Sequence, residues 1–306
     1  MTLHIQTPLL ESMPLSTIAG RTVWLKLDAL QVPGSFKIRG IGNACEAYHQ
    51  RGARRFVTSS GGNAGLAVAY AGRKLSVQVL VVVPETTTTR AKELLHLENA
   101  EVIVHGASWQ EANEFAQVQI GPDDAFIHPF DDPLVWRGHA SLVDEIHASR
   151  VRPDAVVLCV GGGGLLSGVA EGLSRVGWGD IPIVAVETEG AASYQEALKA
   201  GHPVELDRIS SIAGSLGAKR VCEQAFEWSN KIQIRSILVS DRSALMACER
   251  FLSDHRILVE PACGASLAPV YEQAAELQDF ESVLVIVCGG ATASLEQIRQ
   301  WLKECD

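Results

Sequence analysis

Several things are scarce in this chain, and each scarcity removes a class of protein. The seven cysteines, Cys45, Cys159, Cys222, Cys248, Cys263, Cys288 and Cys305, are odd in number, and none stands in a CxxC pair. That argues against a disulfide framework or a thiolate zinc site. Several lie in apolar runs (AVVLCVG around Cys159, VLVIVCGG around Cys288), where small buried hydrophobes in a reducing compartment are expected. Positive charge is also short: 26 Lys and Arg face 36 Asp and Glu, for a formal net charge of −10 and a pI of about 5.4. A field of that sign excludes bulk attraction to nucleic acid or to an anionic membrane. The longest apolar runs, such as 79–84, are strand-sized and far too short to cross a bilayer. The opening residues MTLHIQTPLL lack a basic segment followed by an apolar one, so no signal peptide is expected. The expectation is a cytoplasmic protein with neither nucleic-acid nor membrane partners. No Gly/Ser linker, internal repeat or appended regulatory region is visible.

What is present reads as a globular α/β chain. Of 306 residues, 47% are hydrophobic, enough for one large or two modest domains. Short β-branched runs at 22–27, 55–58, 77–83, 101–104, 155–160, 181–186, 234–239 and 283–287 predict strands. Amphipathic stretches at 63–74, 88–98, 109–119, 165–176, 243–254 and 292–303 predict helices between them. Several strands are unbroken apolar runs, as in parallel sheets covered on both faces. The threonine run 86–89 reads as a loop and helix cap. The segment 129–133 (PFDDP) is the strongest punctuation and marks a possible crossing between domains.

Four segments carry chemistry. The first, Pro33-Gly34-Ser35-Phe36-Lys37-Ile38-Arg39-Gly40, sets a lysine at a helix start, where a positive charge is slightly unfavourable but a neutral imine is not. The second, Ser59-Ser60-Gly61-Gly62-Asn63-Ala64-Gly65, follows a strand and offers free backbone amides that suit a carboxylate. The third, Gly161-Gly162-Gly163-Gly164, costs more ordering entropy than a plain turn warrants, and close approach to a phosphate accounts for it. It is neither a Walker loop nor a dinucleotide fingerprint in register. A nucleotide-binding module with no chemistry therefore stays open on this loop alone, with Glu187 as its downstream acid. The fourth, Val287-Cys288-Gly289-Gly290, ends the last apolar strand, where ligands collect in parallel sheets.

In this order, SFKIRG, SSGGNAG, GGGG and VCGG resemble the fold-type II pyridoxal-phosphate (PLP) enzymes, in particular the serine dehydratase and serine dehydratase-like branch. The resemblance extends through FDDPLVWRGHASLVDEI and ILVEPACGASLAPVY. It implies a tryptophan-synthase-beta-like fold of two domains, with mostly parallel twisted sheets covered by helices. The large domain would take 1–30 and 133–306, and the small one 31–132. It implies that Lys37 bonds the cofactor, that Phe36 packs on one ring face with Ser215 near the other, and that Gly161, Gly162, Gly163 and Gly164 cradle the phosphate. Asn63 would hold the ring hydroxyl, and Cys288 would meet the pyridine nitrogen. Ser60, Gly61, Asn63 and Ala64 would grip the substrate carboxylate. A monovalent cation such as K+ would sit at Glu187 and the backbone oxygens of Gly161, Ala191, Ser215 and Leu216. The implied reaction is deamination of L-serine, and of L-threonine, by a homodimer. Cysteine-synthase-like β-replacement and serine racemisation remain as alternatives. The branch commonly has alanine where Gly61 stands, and loss of that methyl is expected to enlarge the pocket and loosen its loop.

Overall fold

A computed structural model describes residues 2–305, and its strands pack into two sheets. In chain order they are β1 (Leu9–Glu11), β2 (Thr22–Lys26), β3 (Arg55–Thr58), β4 (Gln78–Val83), β5 (Glu101–Val104), β6 (Asp124–Phe126), β7 (Ala155–Cys159), β8 (Ile183–Thr188), β9 (Ile234–Val239) and β10 (Ser282–Ile286). One sheet has the order β1-β2-β10-β7-β8-β9, with only β1 antiparallel; the other, β5-β4-β3-β6, is wholly parallel. The chain leaves the first sheet after β2, builds the whole of the second, and returns with β7. The return runs through the segment 129–133 (PFDDP). Every residue of β7 and β8 is buried, and β4 exposes only Gln78. Double-sided burial is why these strands read as continuous apolar runs.

The helices on these sheets are α1 (Met13–Ala19), α2 (Lys37–Gln50), α3 (Asn63–Leu75), α4 (Thr89–Leu97), α5 (Trp109–Val118), α6 (Pro133–Ala148), α7 (Gly164–Arg175), α8 (Ser193–Ala200), α9 (Glu223–Trp228), α10 (Asp241–His255), α11 (Pro261–Tyr271) and α12 (Leu295–Glu304). Many starts are set by side-chain caps: Ser12, Thr88, Ser108, Asp132, Ser240 and Ser294 each accept a first-turn amide, which satisfies donors the helix itself leaves free. Helix α11 is buried at all eleven positions, so it shows no amphipathic period.

A buried charge group ties α2 to the rest of the protein. Arg39, wholly buried, donates to Asp28 (2.6 and 2.9 Å) and to Glu145 on α6 (2.7 and 2.9 Å). Lys26 on β2 bonds the same Glu145 and the Thr7 carbonyl. Two cations and two carboxylates thus neutralise one another two residues beyond Lys37. Removing one partner from such a group typically costs about 3–5 kcal/mol, because the other charge stays buried.

Candidate active site

The loops at the carboxyl ends of β2, β3, β7 and β10 converge on one cleft of about 1260 Å³ between the sheets. Glycine geometry brings the lysine there. Gly289 (φ +94°) has no room for a Cβ, which would fall 2.4 Å from the Gly34 carbonyl oxygen. The 34–36 turn can therefore lie directly on the end of β10: Ser35 bridges Gly289, Phe36 N–H donates to the Cys288 carbonyl (3.0 Å), and Gly290 N–H donates to the Gly34 carbonyl (2.9 Å). Lys37 opens α2 immediately afterwards. Its Nζ donates to the Pro129 carbonyl at 2.7 Å. Burial lowers its pKa to about 8, against the opposing pull of Cys159, Cys288 and Glu260.

The four glycines lead from β7 into α7. A Cβ on Gly162 would lie 2.4 Å from the Phe130 ring, and one on Gly164 would lie 2.8 Å from the Phe130 carbonyl oxygen. One on Gly163, at φ +91°, would lie 2.5 Å from Ala225, and one on Gly161 would lie 3.0 Å from the Leu216 backbone. Each position is closed to a side chain, so what faces the cleft is bare backbone at a helix N-terminus, where the first amides have no intrahelical acceptor. The carbonyl of Ser215 lies 3.1 Å from the Gly161 Cβ position, so Ser215 and Leu216 do flank this loop.

On the opposite wall, Ser60, Gly61, Asn63 and Ala64 line the cleft at the start of α3. The turn is tight: a Cβ at Gly65 would coincide with the Ser60 carbonyl, 1.7 Å away. The expectation that Gly61 enlarges the pocket is overturned. A Cβ there would lie 2.8 Å from Cγ2 of Thr87 and 3.0 Å from Val83, so the space is already filled by the threonine loop. The missing methyl therefore adds no open space at this position.

Cys288 and Cys159 both line the cleft, with their sulfurs 3.6 Å apart. Hydrogen bonds from Cys159 and Cys263, then burial, push the Cys288 thiol well above its usual range, so it is neutral at physiological pH. Phe36 packs on His139 with ring centroids 4.8 Å apart. His139 is wholly buried, neither ring nitrogen has a hydrogen-bond partner, and burial lowers its pKa. It backs Phe36 as a neutral ring. Glu187, also fully buried, accepts the Tyr194 and Gln195 amides at 2.8 Å each and so caps α8; burial raises its pKa to about 7.

Two cleft residues escape the sequence reading. His128 accepts the amides of Asp131 (2.7 Å) and Phe130 (3.3 Å) through Nδ1, shaping the loop that presents the Pro129 carbonyl to Lys37. Burial and the nearby Lys37 lower its pKa to about 4. Glu260 lies 4% exposed in the cleft wall. Its signal is in the sequence: a single acid before the otherwise apolar run PACGASLAPVY.

A buried amine, a bare-backbone anion cradle and a neutral thiol facing one cleft are the groups that would hold an aldehyde-bearing, phosphorylated pyridine. The comparisons agree: the family model for pyridoxal-phosphate-dependent enzymes matches residues 1–289, and the chain belongs to that family. Its architecture is that of fold-type II. Within the family it is 49% identical to a mouse protein named serine dehydratase-like, over 97% of this chain and 93% of that one. It is 48% identical to the human L-serine dehydratase/L-threonine deaminase, over 99% and 95% of the two chains. Among solved structures, a fungal L-serine ammonia-lyase from Rhizomucor miehei superposes with a TM-score of 0.94 at 34% identity, covering 99% of each chain. Maize serine racemase, at 24% identity and a TM-score of 0.89 over 99% of this chain and 93% of that one, shares the fold.

Proposed function

We propose that the protein deaminates L-serine to pyruvate and ammonia, and L-threonine to 2-oxobutanoate. The observation that carries this reading is the Lys37 amine, buried in the cleft that the tetraglycine turn lines, in a chain so similar to serine dehydratases. Pyridoxal phosphate, when bound, supplies an aldehyde that condenses with amines and a conjugated ring that accepts the electron pair left at Cα. Gly161 to Gly164 would hold its phosphate, Phe36 and Ser215 its faces, Asn63 its ring hydroxyl and Cys288 its nitrogen.

The protein's own groups then divide the work. The backbone of Ser60, Gly61, Asn63 and Ala64 binds the substrate carboxylate and turns the Cα–H bond toward Lys37. Lys37 Nζ takes the α-proton as general base; its lowered pKa leaves a useful neutral fraction near neutrality. The neutral Cys288 thiol gives the ring nitrogen no charge partner, which favours rapid loss of the β-hydroxyl over slower exchange at Cα. Residues 31–132, with the second sheet, form the smaller domain in this reading, and its approach to the larger one would exclude water. Among the described residues Glu187 has no basic side chain as a hydrogen-bond partner, so a monovalent cation held with the carbonyls of Gly161, Ala191, Ser215 and Leu216 would neutralise it. The apolar side chains Ile5, Leu10, Met13, Leu30 and Val32 are exposed, and a homodimer is the assembly expected in this reading.

The test is spectroscopic and chemical. The purified protein should be yellow and should release pyruvate from L-serine without sulfide. Lys37→Ala should lose both the visible band of the bound cofactor and all deamination. A colourless wild type, or D-serine or a sulfide adduct as the main product, would overturn the reading.

A further inference from the structure

Asn63 and Glu260 sit on helices far apart in sequence, α3 and α11, and meet in the cleft wall. The Asn63 carboxamide is held at both ends. Its Oδ1 accepts the Ala291 amide (3.1 Å), so its Nδ2 must face Glu260, to whose Oε1 it donates at 2.7 Å. That leaves one N–H, which points toward Ser215 Oγ over a long 3.4 Å and has no strong acceptor of the protein's own.

Glu260 is built into place. It occupies the N-cap position of α11 but makes no side-chain cap bond; its carboxyl turns away from the helix and into the cleft. Gly290 makes the room. A Cβ there would fall 2.3 Å from Cγ and Cδ of Glu260 and 2.4 Å from its Oε2. The second glycine of VCGG therefore serves the glutamate, as the first serves the lysine turn. The Thr292 hydroxyl reaches toward Oε2 at 3.5 Å. Burial raises the carboxyl's pKa to about 7, against hydrogen bonds from Ser215, Asn63 and Thr292 and the charge of Lys37. Either protonation state leaves Oε1 free to accept from Asn63.

We propose that Glu260 is a positioning residue: by locking the Asn63 carboxamide in one orientation, it aims the remaining Asn63 N–H at the bound cofactor. The inference rests on the functional reading above. A carboxamide free to flip would turn its oxygen toward the cofactor's ring oxygen, and where that oxygen carries no proton two buried acceptors would face each other, which is costly. Glu260 and Ala291 N–H together forbid the flip.

The test compares two substitutions that fill the same space in the holoenzyme. Glu260→Gln keeps an oxygen that accepts from Asn63; Glu260→Met does not. The readouts are the rate at which cofactor is lost on dilution and the visible circular dichroism of its band, which reports how firmly the ring is fixed. Glu260→Met should lose cofactor about tenfold faster, as expected for one buried hydrogen bond to a charged group, with a weakened dichroic band. Glu260→Gln should stay within about twofold of wild type. Asn63→Ala should match the Met variant, and the double variant should be no worse than either. Equal behaviour of the Gln and Met variants, whether normal or impaired, would overturn the proposal, as would additive losses in the double variant. Failure of the wild type to bind pyridoxal phosphate would instead sink the functional reading itself.

Discussion

The two glycine turns that face each other across the cleft are built in opposite ways. At 161–164 every glycine is pressed against something that yields little: an aromatic ring, a neighbouring carbonyl, the Leu216 backbone. At 60–62 the neighbours are looser. Gly61 touches the side chain of Thr87, and a Cβ on Gly62 would meet nothing nearer than Ser60 Oγ at 4.0 Å. On the proposed function the first turn would hold the cofactor phosphate and the second the substrate carboxylate, so the contrast in packing can be tested. Substitution should therefore be felt as lost cofactor on one side and altered selectivity on the other.

Among the glycine substitutions, the largest effect is expected from Gly162→Ala. Its methyl must displace the Phe130 ring, and overpacking of this kind costs about 1–3 kcal/mol. The strain falls on the cradle itself, so cofactor affinity should drop by roughly tenfold to a hundredfold, read by titration of the visible band. Undiminished affinity would show that the cradle is not rigid.

Next comes Lys37, the proposed base, which lines the same cleft as both turns. As base it must be neutral, and its pKa is lowered to about 8 by burial. Raising pH through that value deprotonates it, so kcat should rise up to about pH 8 and level off beyond. Below it, kcat should fall about tenfold per pH unit, as for a single titrating base. A kcat that is flat from pH 6 to 9 would remove Lys37 from that role.

Much of this was legible in the sequence, and the exceptions have physical causes. The buried strands announce themselves because two-sided burial leaves no polar alternation. Strands β1 and β6 were missed because three residues carry no period. Helices α6 and α11 were not singled out, and α11 could not be by amphipathicity, since it is apolar all round and holds Pro261 and Pro269. The lysine and the glycine turns stand out because glycine clusters are costly. What a glycine makes room for is another matter. Gly61 was expected to widen a pocket, yet the atoms that fill its space come from Thr87 and Val83. Glu260 stands out locally as a lone acid before an apolar run, but its partner Asn63 is distant in sequence; the contacts of His128 to the loop that meets Lys37 show in no local pattern.

Gly61→Ala sharpens the contrast. The new methyl would sit 2.8 Å from Thr87 Cγ2, and moving a half-buried threonine on a surface loop should cost about 1 kcal/mol. The expected result is a several-fold change in the ratio of serine to threonine kcat/KM, with cofactor binding unchanged. Thr87→Ser removes the offending Cγ2, so the double variant should recover the wild-type ratio. Persistence of the defect in the double variant would mean that Gly61 acts through the flexibility of its own backbone.

The smallest effect belongs to Gly62→Ala, and it is the control that gives the others meaning. Gly62 lies one residue from both Gly61 and Asn63, in the same turn and the same cleft. Its φ of −99° is open to any residue, and it caps α3 without a side-chain bond. Exchanging glycine for alanine at a cap position costs at most about 1 kcal/mol of helix stability. A methyl with free space around it should leave kcat/KM for both substrates within about twofold. If steric contact decides what each glycine does, Gly62 must be tolerant where Gly61 is selective and Gly162 is not tolerant at all. An effect at Gly62 as large as that at Gly61 would mean that the turn responds to any loss of backbone freedom, and the distinction drawn from the Thr87 contact would fall.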